Sequence, residues 1–207
     1  MASPVLWLEN LPRKLNMLPH LRTMEHWQDF QLHDGKCDSL QFCFRISCNN
    51  LKKLQMKIDG KLCEAAFPHL MVKYPGQKIE FLNAESADVF YFSYHPEAVA
   101  FFARNGLPND FCIAELPMPE SLERAMALLK SSRDNLSKPG FADKLDLACY
   151  TLVHESMLIL AEKEVDLNEV DKKIPPSTFL NGGIFWFMQS FYQRKSAERA
   201  GIPKYSQ

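Results

Sequence analysis

LQMKIDGKLCE, residues 54–64, predicts a β-hairpin. Leu54, Met56 and Ile58 alternate with polar residues, which is the period of a strand with one buried face. Asp59-Gly60 then supplies two residues that tolerate the positive φ angles of a type I′ turn. An Asp-Gly pair between alternating runs is among the strongest hairpin signals, so antiparallel β-structure is expected around this segment.

The neighbouring segments continue the strand pattern. DSLQFCFRIS, residues 38–47, alternates strictly, and residues 69–83 give two short strands around Pro75-Gly76. DVFYFSYH, residues 88–95, is bulky on both faces, which predicts a central strand. Short strands separated by turns every 8–12 residues or so are typical of a small antiparallel barrel or sandwich. We therefore predict such a domain over residues 37–97.

The flanking regions have other patterns. Residues 1–36 are predicted to be an irregular arm, because prolines 4, 12 and 19 interrupt any long helix. A helical period begins after residue 95 and predicts helices over residues 96–106, 118–136 and 141–165. Residues 166–177 are polar and contain Pro-Pro, which predicts a linker. The last segment, residues 178–207, is aromatic and then basic, with a helical pattern over residues 184–194.

The bulk composition is that of a globular protein, with 46% hydrophobic and 24% charged residues. A net charge of −1 gives no global basic field that would attract nucleic acid. The first residues are a poor secretory signal, and no stretch approaches the roughly 18 apolar residues of a membrane span. We therefore expect a cytoplasmic protein with no membrane partner. Its six cysteines form no Cys-x-x-Cys pair and are expected to be reduced.

The order of strand region, helical pair and polar linker resembles the effector half of AraC-type transcription regulators. The phrases that carry this likeness are LPHLRTMEHW (18–27), DGKLCEAAFPHLMVKYPGQ (59–77), ADVFYFSYHPE (87–97) and FADKLDLACYTLVHESML (141–158). The resemblance implies an α+β fold, mainly β and then α. It consists of a cupin-like antiparallel β-barrel over residues 37–97, a helical dimerisation region over residues 98–165 and a short C-terminal helix. It also implies a homodimer that senses a small-molecule effector, such as a sugar.

The tail, TFLNGGIFWFMQSFYQRKSAERAGIPKYSQ (178–207), resembles the closing helix of that family's DNA-binding domain. Its spacing departs from the family, and the residues after Val165 suffice for one helix-turn-helix unit but not two. A recognition helix exposes polar side chains, whereas this one has a broad aromatic face. We therefore expect a truncated or degenerate DNA-binding region with weak DNA contacts, made by Arg194, Lys195, Arg199 and Lys204.

A barrel interior is a common site for a small ligand, whose orientation is fixed by a few polar groups. The predicted ligand-binding residues are polar side chains on strand segments: Arg45, Tyr74, Glu80, Tyr91 and Tyr94. Since successive strand residues point to opposite faces, some of this set must lie elsewhere. The alternative is that these residues face solvent, or that side chains fill the barrel.

Catalytic motifs are missing from the sequence. It has no G-x-S-x-G elbow, no P-loop and no G-x-G-x-x-G. His26, His33 and a later histidine could bind Zn or Fe, but no H-x-H pair is present, and the bland alternative is surface or hydrogen-bonded histidines. We therefore expect no catalytic residue, no metal and no cofactor. Two further hypotheses stay open: a small cupin enzyme acting on a sugar or other metabolite, and a non-catalytic interaction module.

Overall fold

The computed structural model describes the backbone of residues 5–83 and 85–170, and the side chains of these residues other than 133 and 164–170. Within this part of the chain the strands are β1 Leu6–Trp7, β2 Leu21–Phe30, β3 Gly35–Lys36, β4 Leu40–Cys48, β5 Lys53–Ile58, β6 Lys61–Ala66, β7 His69–Lys73, β8 Lys78–Phe81, β9 Ala87–Tyr94 and β10 Ile113–Glu115. The helices are α1 Ala98–Arg104, α2 Glu120–Asn135 and α3 Phe141–Val170.

The strands form two antiparallel sheets. A six-stranded sheet has the order β1-β2-β9-β4-β7-β10, and a four-stranded sheet has the order β3-β8-β5-β6. The predicted closed barrel is therefore wrong for the described residues, because the strand ladder does not run on from one sheet into the other. The alternation of apolar residues in the sequence cannot distinguish a closed barrel from a pair of stacked sheets, since both require one buried face per strand.

The predicted hairpin is confirmed in detail. Strands β5 and β6 pair antiparallel from Lys53 opposite Ala66 to Ile58 opposite Lys61. The two turn residues have positive φ angles, 50° at Asp59 and 80° at Gly60, as a type I′ turn requires. The turn residues therefore set the register of this hairpin, and with it the face to which each side chain points.

The six-stranded sheet is covered on both faces. The rings of Phe42, Phe44, Phe90 and Phe92 lie in a core shared with the three helices. Cys43 and Met71 belong to a second core, shared with the four-stranded sheet. Strand β9 lies between β2 and β4, as its bulky residues predict. The fold therefore has three layers, namely helices, the large sheet and the small sheet.

The helices pack on one face of the large sheet through Phe102, Leu122, Ala125, Leu145 and Leu152. Their bounds lie within a few residues of the predicted ones, except that α3 continues to Val170, into the segment predicted as a linker. A carboxylate joins α2 to α3, because Glu155 accepts hydrogen bonds from the backbone amides of Glu120 and Ser121, each at 3.1 Å. These amides open α2 and have no acceptor within their own helix.

The predicted irregular arm contains a full strand. β2 pairs with β9 over its length, and β1 pairs with β2. The proline at position 19 lies before this strand and does not interrupt it. The register shifts between Leu21 and Thr23, and both Leu21 and Met24 point into the helix-side core. This irregularity conceals the two-residue alternation on which the prediction relied.

None of the helices within the described residues is long and apolar enough to cross a membrane.

Candidate ligand-binding site

A cavity of about 140 Å³ lies between the two sheets. Its wall is made of apolar and polar side chains from both sheets and from the segment after β2: Phe30, Leu32, His33, Gln41, Cys43, Arg45, Lys73, Phe81, Val89 and Tyr91. Gln41, Cys43 and Arg45 are alternate residues of β4, so they share the face that looks towards the small sheet. Lys73 is paired with Gln41 in the register of β4 and β7.

Arg45 is the largest fully buried side chain in this region, with 1% of its surface exposed. The carbon at the centre of its guanidinium lies 4.8 Å from the centroid of the Phe81 ring. The Nε and Nη1 atoms are buried and have no hydrogen-bond partner among the described residues. Burial lowers the pKa of Arg45 to about 10, so the group is still a cation at neutral pH. The cavity therefore contains a buried positive charge with unused N–H donors.

The described residues of the wall include no carboxylate to balance this charge. The acidic side chains Asp and Glu are missing from the lining residues, whereas Lys73 adds a second cation. Arg45 takes part in no ion pair within the described part of the chain. The cavity is therefore positively charged, in a protein whose net charge is close to zero.

His69 lies opposite Arg45 in the register of β4 and β7 and is completely buried. Its Nδ1 is 2.9 Å from the carbonyl oxygen of Ala66, which can only accept, so Nδ1 carries the hydrogen. The pKa of His69 is lowered to about 3, mainly by burial and further by the charge of Arg45. The imidazole is therefore neutral at physiological pH, and its Nε2 has no partner in the part of the chain that the structure describes.

Tyr91 and Glu25 face each other in the register of β2 and β9. Glu25 is buried and accepts a hydrogen bond of 2.6 Å from Nε1 of Trp27. The pKa of Tyr91 is raised, first by burial and then by its hydrogen bond to Glu25. Tyr91 is thus a neutral phenol, and the Glu25 carboxylate is already engaged by two donors.

The structure brings together two of the five predicted ligand-binding residues, Arg45 and Tyr91. Tyr74 lies elsewhere and donates its hydroxyl to the carbonyl of Pro108 at 2.8 Å. Glu80 pairs with Lys78 along β8. Tyr94 is completely buried in the helix-side core, on the other face of the large sheet.

Sequence reasoning missed three polar lining residues, His33, Gln41 and Lys73. The sequence did indicate Gln41, since it lies four residues before Arg45 on the same strand and must therefore point to the same face. Lys73 had none, because its position beside Gln41 depends on the pairing of β7 with β4. The loop position of His33 was not readable from periodicity.

The predicted DNA-binding residues lie outside the described residues: Arg194, Lys195, Arg199 and Lys204. The same holds for the aromatic segment 178–207 and for the part of the predicted linker after Val170.

Metal ligands do not cluster in the part of the chain that the structure describes, where no three His, Cys, Asp or Glu side chains are grouped to hold an ion. Nε2 of His26 is hydrogen-bonded to Asp88 at 2.8 Å, whereas His33 lines the cavity. All six cysteines are free.

Comparison with known proteins gives little further guidance. No model of a protein family matches the chain. No curated protein matches it either. Among solved structures, the Clostridium difficile EutQ protein is similar to part of the chain, with 22% sequence identity and a TM-score of 0.28. The alignment covers 39% of this chain and 56% of EutQ, so the likeness spans little more than half of that protein.

Proposed function

We propose that the chain is a ligand-sensing regulatory domain that binds a small metabolite in the cavity between its two sheets. The observation that supports this function is the cavity itself, about 140 Å³ in volume and lined by convergent polar groups. Protein interiors are usually packed without voids much larger than a water molecule. A concave site with apolar walls and a few placed polar groups is the usual form of a small-molecule site.

The sheet connects this cavity to the helices. Phe44 and Arg45 are neighbours on β4, but Phe44 lies in the helix-side core and Arg45 lines the cavity. A ligand that moves β4 therefore changes the packing beneath α1, α2 and α3. Ligand binding would favour one arrangement of the helices over another, which is how a sensor domain reports occupancy.

The finer part of the proposal is that this is a cupin-like effector domain of an AraC-like transcription regulator. The order of two antiparallel sheets followed by a helical region supports it, as do the quoted sequence phrases. A homodimer formed through the helices belongs to this proposal. Leu147 on α3 is 51% exposed, which leaves an apolar side chain for a second copy to cover.

A ligand screen tests the sensing function. Small metabolites are added to the purified chain, and binding is measured by ligand-observed NMR for wild type and two variants. Cys43→Phe places a ring in the cavity and should abolish binding. Cys48→Phe makes the same change on the same strand at a residue outside the cavity wall, and should leave binding intact. A screen without hits, or hits that survive Cys43→Phe in a folded protein, would contradict the function.

Two measurements test the regulatory part. Sedimentation should show a dimer for the wild type and a monomer for Leu147→Asp. Titration with a mixed-sequence DNA duplex at about 50 mM and 200 mM salt should show weak, salt-dependent binding. That binding should be lost when Arg194, Lys195, Arg199 and Lys204 are all changed to Gln. Salt-independent binding, or none, would exclude a self-sufficient transcription factor.

A further inference from the structure

We propose that the ligand of the cavity is a small organic monocarboxylate whose carboxylate group pairs with Arg45. This inference rests on the proposed function, since it names the chemical class of the metabolite that the cavity binds. Three features of the described residues support it: an unbalanced buried charge, a guanidinium packed against an aromatic ring, and walls that suit a short organic body.

The charge at Arg45 requires an anion. Arginine is almost never fully buried unless it is paired, because removing a cation from water is costly. Within the described residues Arg45 has no ion pair, and the cavity wall contains no Asp or Glu. His69, opposite Arg45 in the sheet, is a neutral imidazole and cannot balance a positive charge. Nε and Nη1 of Arg45 have no hydrogen-bond partner among the described residues, and Arg45 lines the cavity.

The Arg45 guanidinium is buried against Phe81. Its central carbon lies over the Phe81 ring, 4.8 Å from the ring centroid. A ring quadrupole attracts a cation only weakly, and it does not replace the hydrogen bonds that the N–H groups lack. Carboxylates and phosphates are the anions that fit the N–H edges of a guanidinium.

The rest of the wall favours a carboxylate over an inorganic anion or a neutral sugar. Phe30, Leu32 and Val89 offer apolar surface, which an inorganic phosphate cannot use. A sugar has no charge to balance Arg45. A cavity of this size is close to one that holds benzene, or about six heavy atoms. One buried cation and a short apolar wall therefore suit a carboxylate with a small aliphatic or aromatic body.

Calorimetric titration tests the ligand class. The probes are butyrate and benzoate, their neutral amides butyramide and benzamide, and inorganic phosphate, all at constant ionic strength. The wild type should bind a carboxylate probe about tenfold or more tightly than its amide, since hydrogen bonds between charged groups are stronger than those to a neutral group. Phosphate should bind more weakly than the carboxylates, because it leaves the apolar wall uncovered.

Two variants complete the experiment. Arg45→Met keeps the volume of the side chain, removes the charge, and should weaken carboxylate binding at least about tenfold. Arg104→Met removes one positive charge from an exposed position on α1 and should leave binding unchanged. Circular dichroism on each variant confirms that it is folded, and Arg45→Lys, which keeps charge but not geometry, should give an intermediate affinity.

Several results would overturn the proposal: no carboxylate binding, equal binding of the amides, tighter binding of phosphate, or full binding by Arg45→Met. These results separate it from the proposed function. If neutral metabolites bind the wild type, fail to bind Cys43→Phe and still bind Arg45→Met, then the sensing function stands and the ligand class is wrong. If no compound binds at all, both are wrong.

Discussion

Arg13 and Asp146 form a buried ion pair, with 3.0 Å between Nε and Oδ2 and only 2% and 4% of the two side chains exposed. The two residues are 133 positions apart in the chain. Arg13 also donates to the carbonyl oxygens of Leu8, Leu11 and Leu21. Asp146 accepts from the backbone amide of Leu21 as well, at 2.9 Å. This ion pair and its hydrogen bonds therefore connect the segment before β2 to helix α3.

Loss of Arg13 should destabilise the protein strongly. Arg13→Met leaves the Asp146 carboxylate buried without its cation, which typically costs about 3–5 kcal/mol. The free energy of unfolding in urea measures the effect. Lys53→Met breaks an ion pair on the surface, with Glu64, and should leave the free energy of unfolding unchanged within error. Equal effects from the two substitutions would show that the Arg13 pair is no stronger than a surface contact.

Arg45→Met should have the opposite effect and stabilise the ligand-free protein. It replaces a buried, unpaired cation by an apolar side chain of similar length, and we expect a gain of about 1–3 kcal/mol. Urea unfolding without added ligand measures it, with Arg45→Lys as the control that keeps a charge. A marked loss of stability in Arg45→Met would mean that a group in the protein already balances the Arg45 charge.

The stability of the protein should depend on pH through His69. The pKa of this imidazole is lowered from its ordinary value of 6.5 to about 3 in the folded chain, so between these values the unfolded state binds a proton that the folded state does not. The contribution of His69 is complete above pH 6.5 and is lost as the pH falls towards 3. At about pH 5 the free energy of unfolding should be roughly 2 kcal/mol lower from this group alone.

The variant His69→Asn tests this dependence, because its amide can keep the hydrogen bond to Ala66 but does not titrate. Urea unfolding of both proteins at about pH 7.5 and about pH 5 gives the comparison. Carboxylates lower the stability of both proteins as the pH falls, so the difference between them reports on His69. If the two proteins lose the same free energy, His69 does not titrate as its burial predicts.

Gly60→Ala should destabilise the hairpin of β5 and β6. Gly60 has a φ of +80°, where a Cβ atom costs about 1–2 kcal/mol even though no neighbouring atom lies within 4 Å. Gly35→Ala is the matched control, since Gly35 has equally open surroundings without a positive φ. Thermal unfolding should show a lower Tm for Gly60→Ala alone. Equal Tm values would show that the turn tolerates a side chain at position 60.

The elements that the sequence predicted well are those whose signal lies in residues close together in the chain. The alternation along β4 and the Asp59-Gly60 turn are local patterns, as is the start of α2 near Pro119. Strand β2 was missed, because a register shift after Leu21 breaks the period that a strand is expected to show. The closed barrel was wrong because no local pattern tells whether the last strand of a sheet pairs with the first.

In the candidate site, too, local sequence patterns predicted some features and the tertiary structure decided the others. Sequence parity sets Cys43 and Arg45 on one face of β4 and Phe44 on the other, and it separates Tyr91 from Tyr94. Only the tertiary structure decided that the Arg45 face looks into a cavity, that Lys73 lies beside Gln41, and that Tyr94 is covered by helices. The physical reason is that parity follows from the backbone of one strand, whereas burial and charge balance depend on side chains that are distant in the chain.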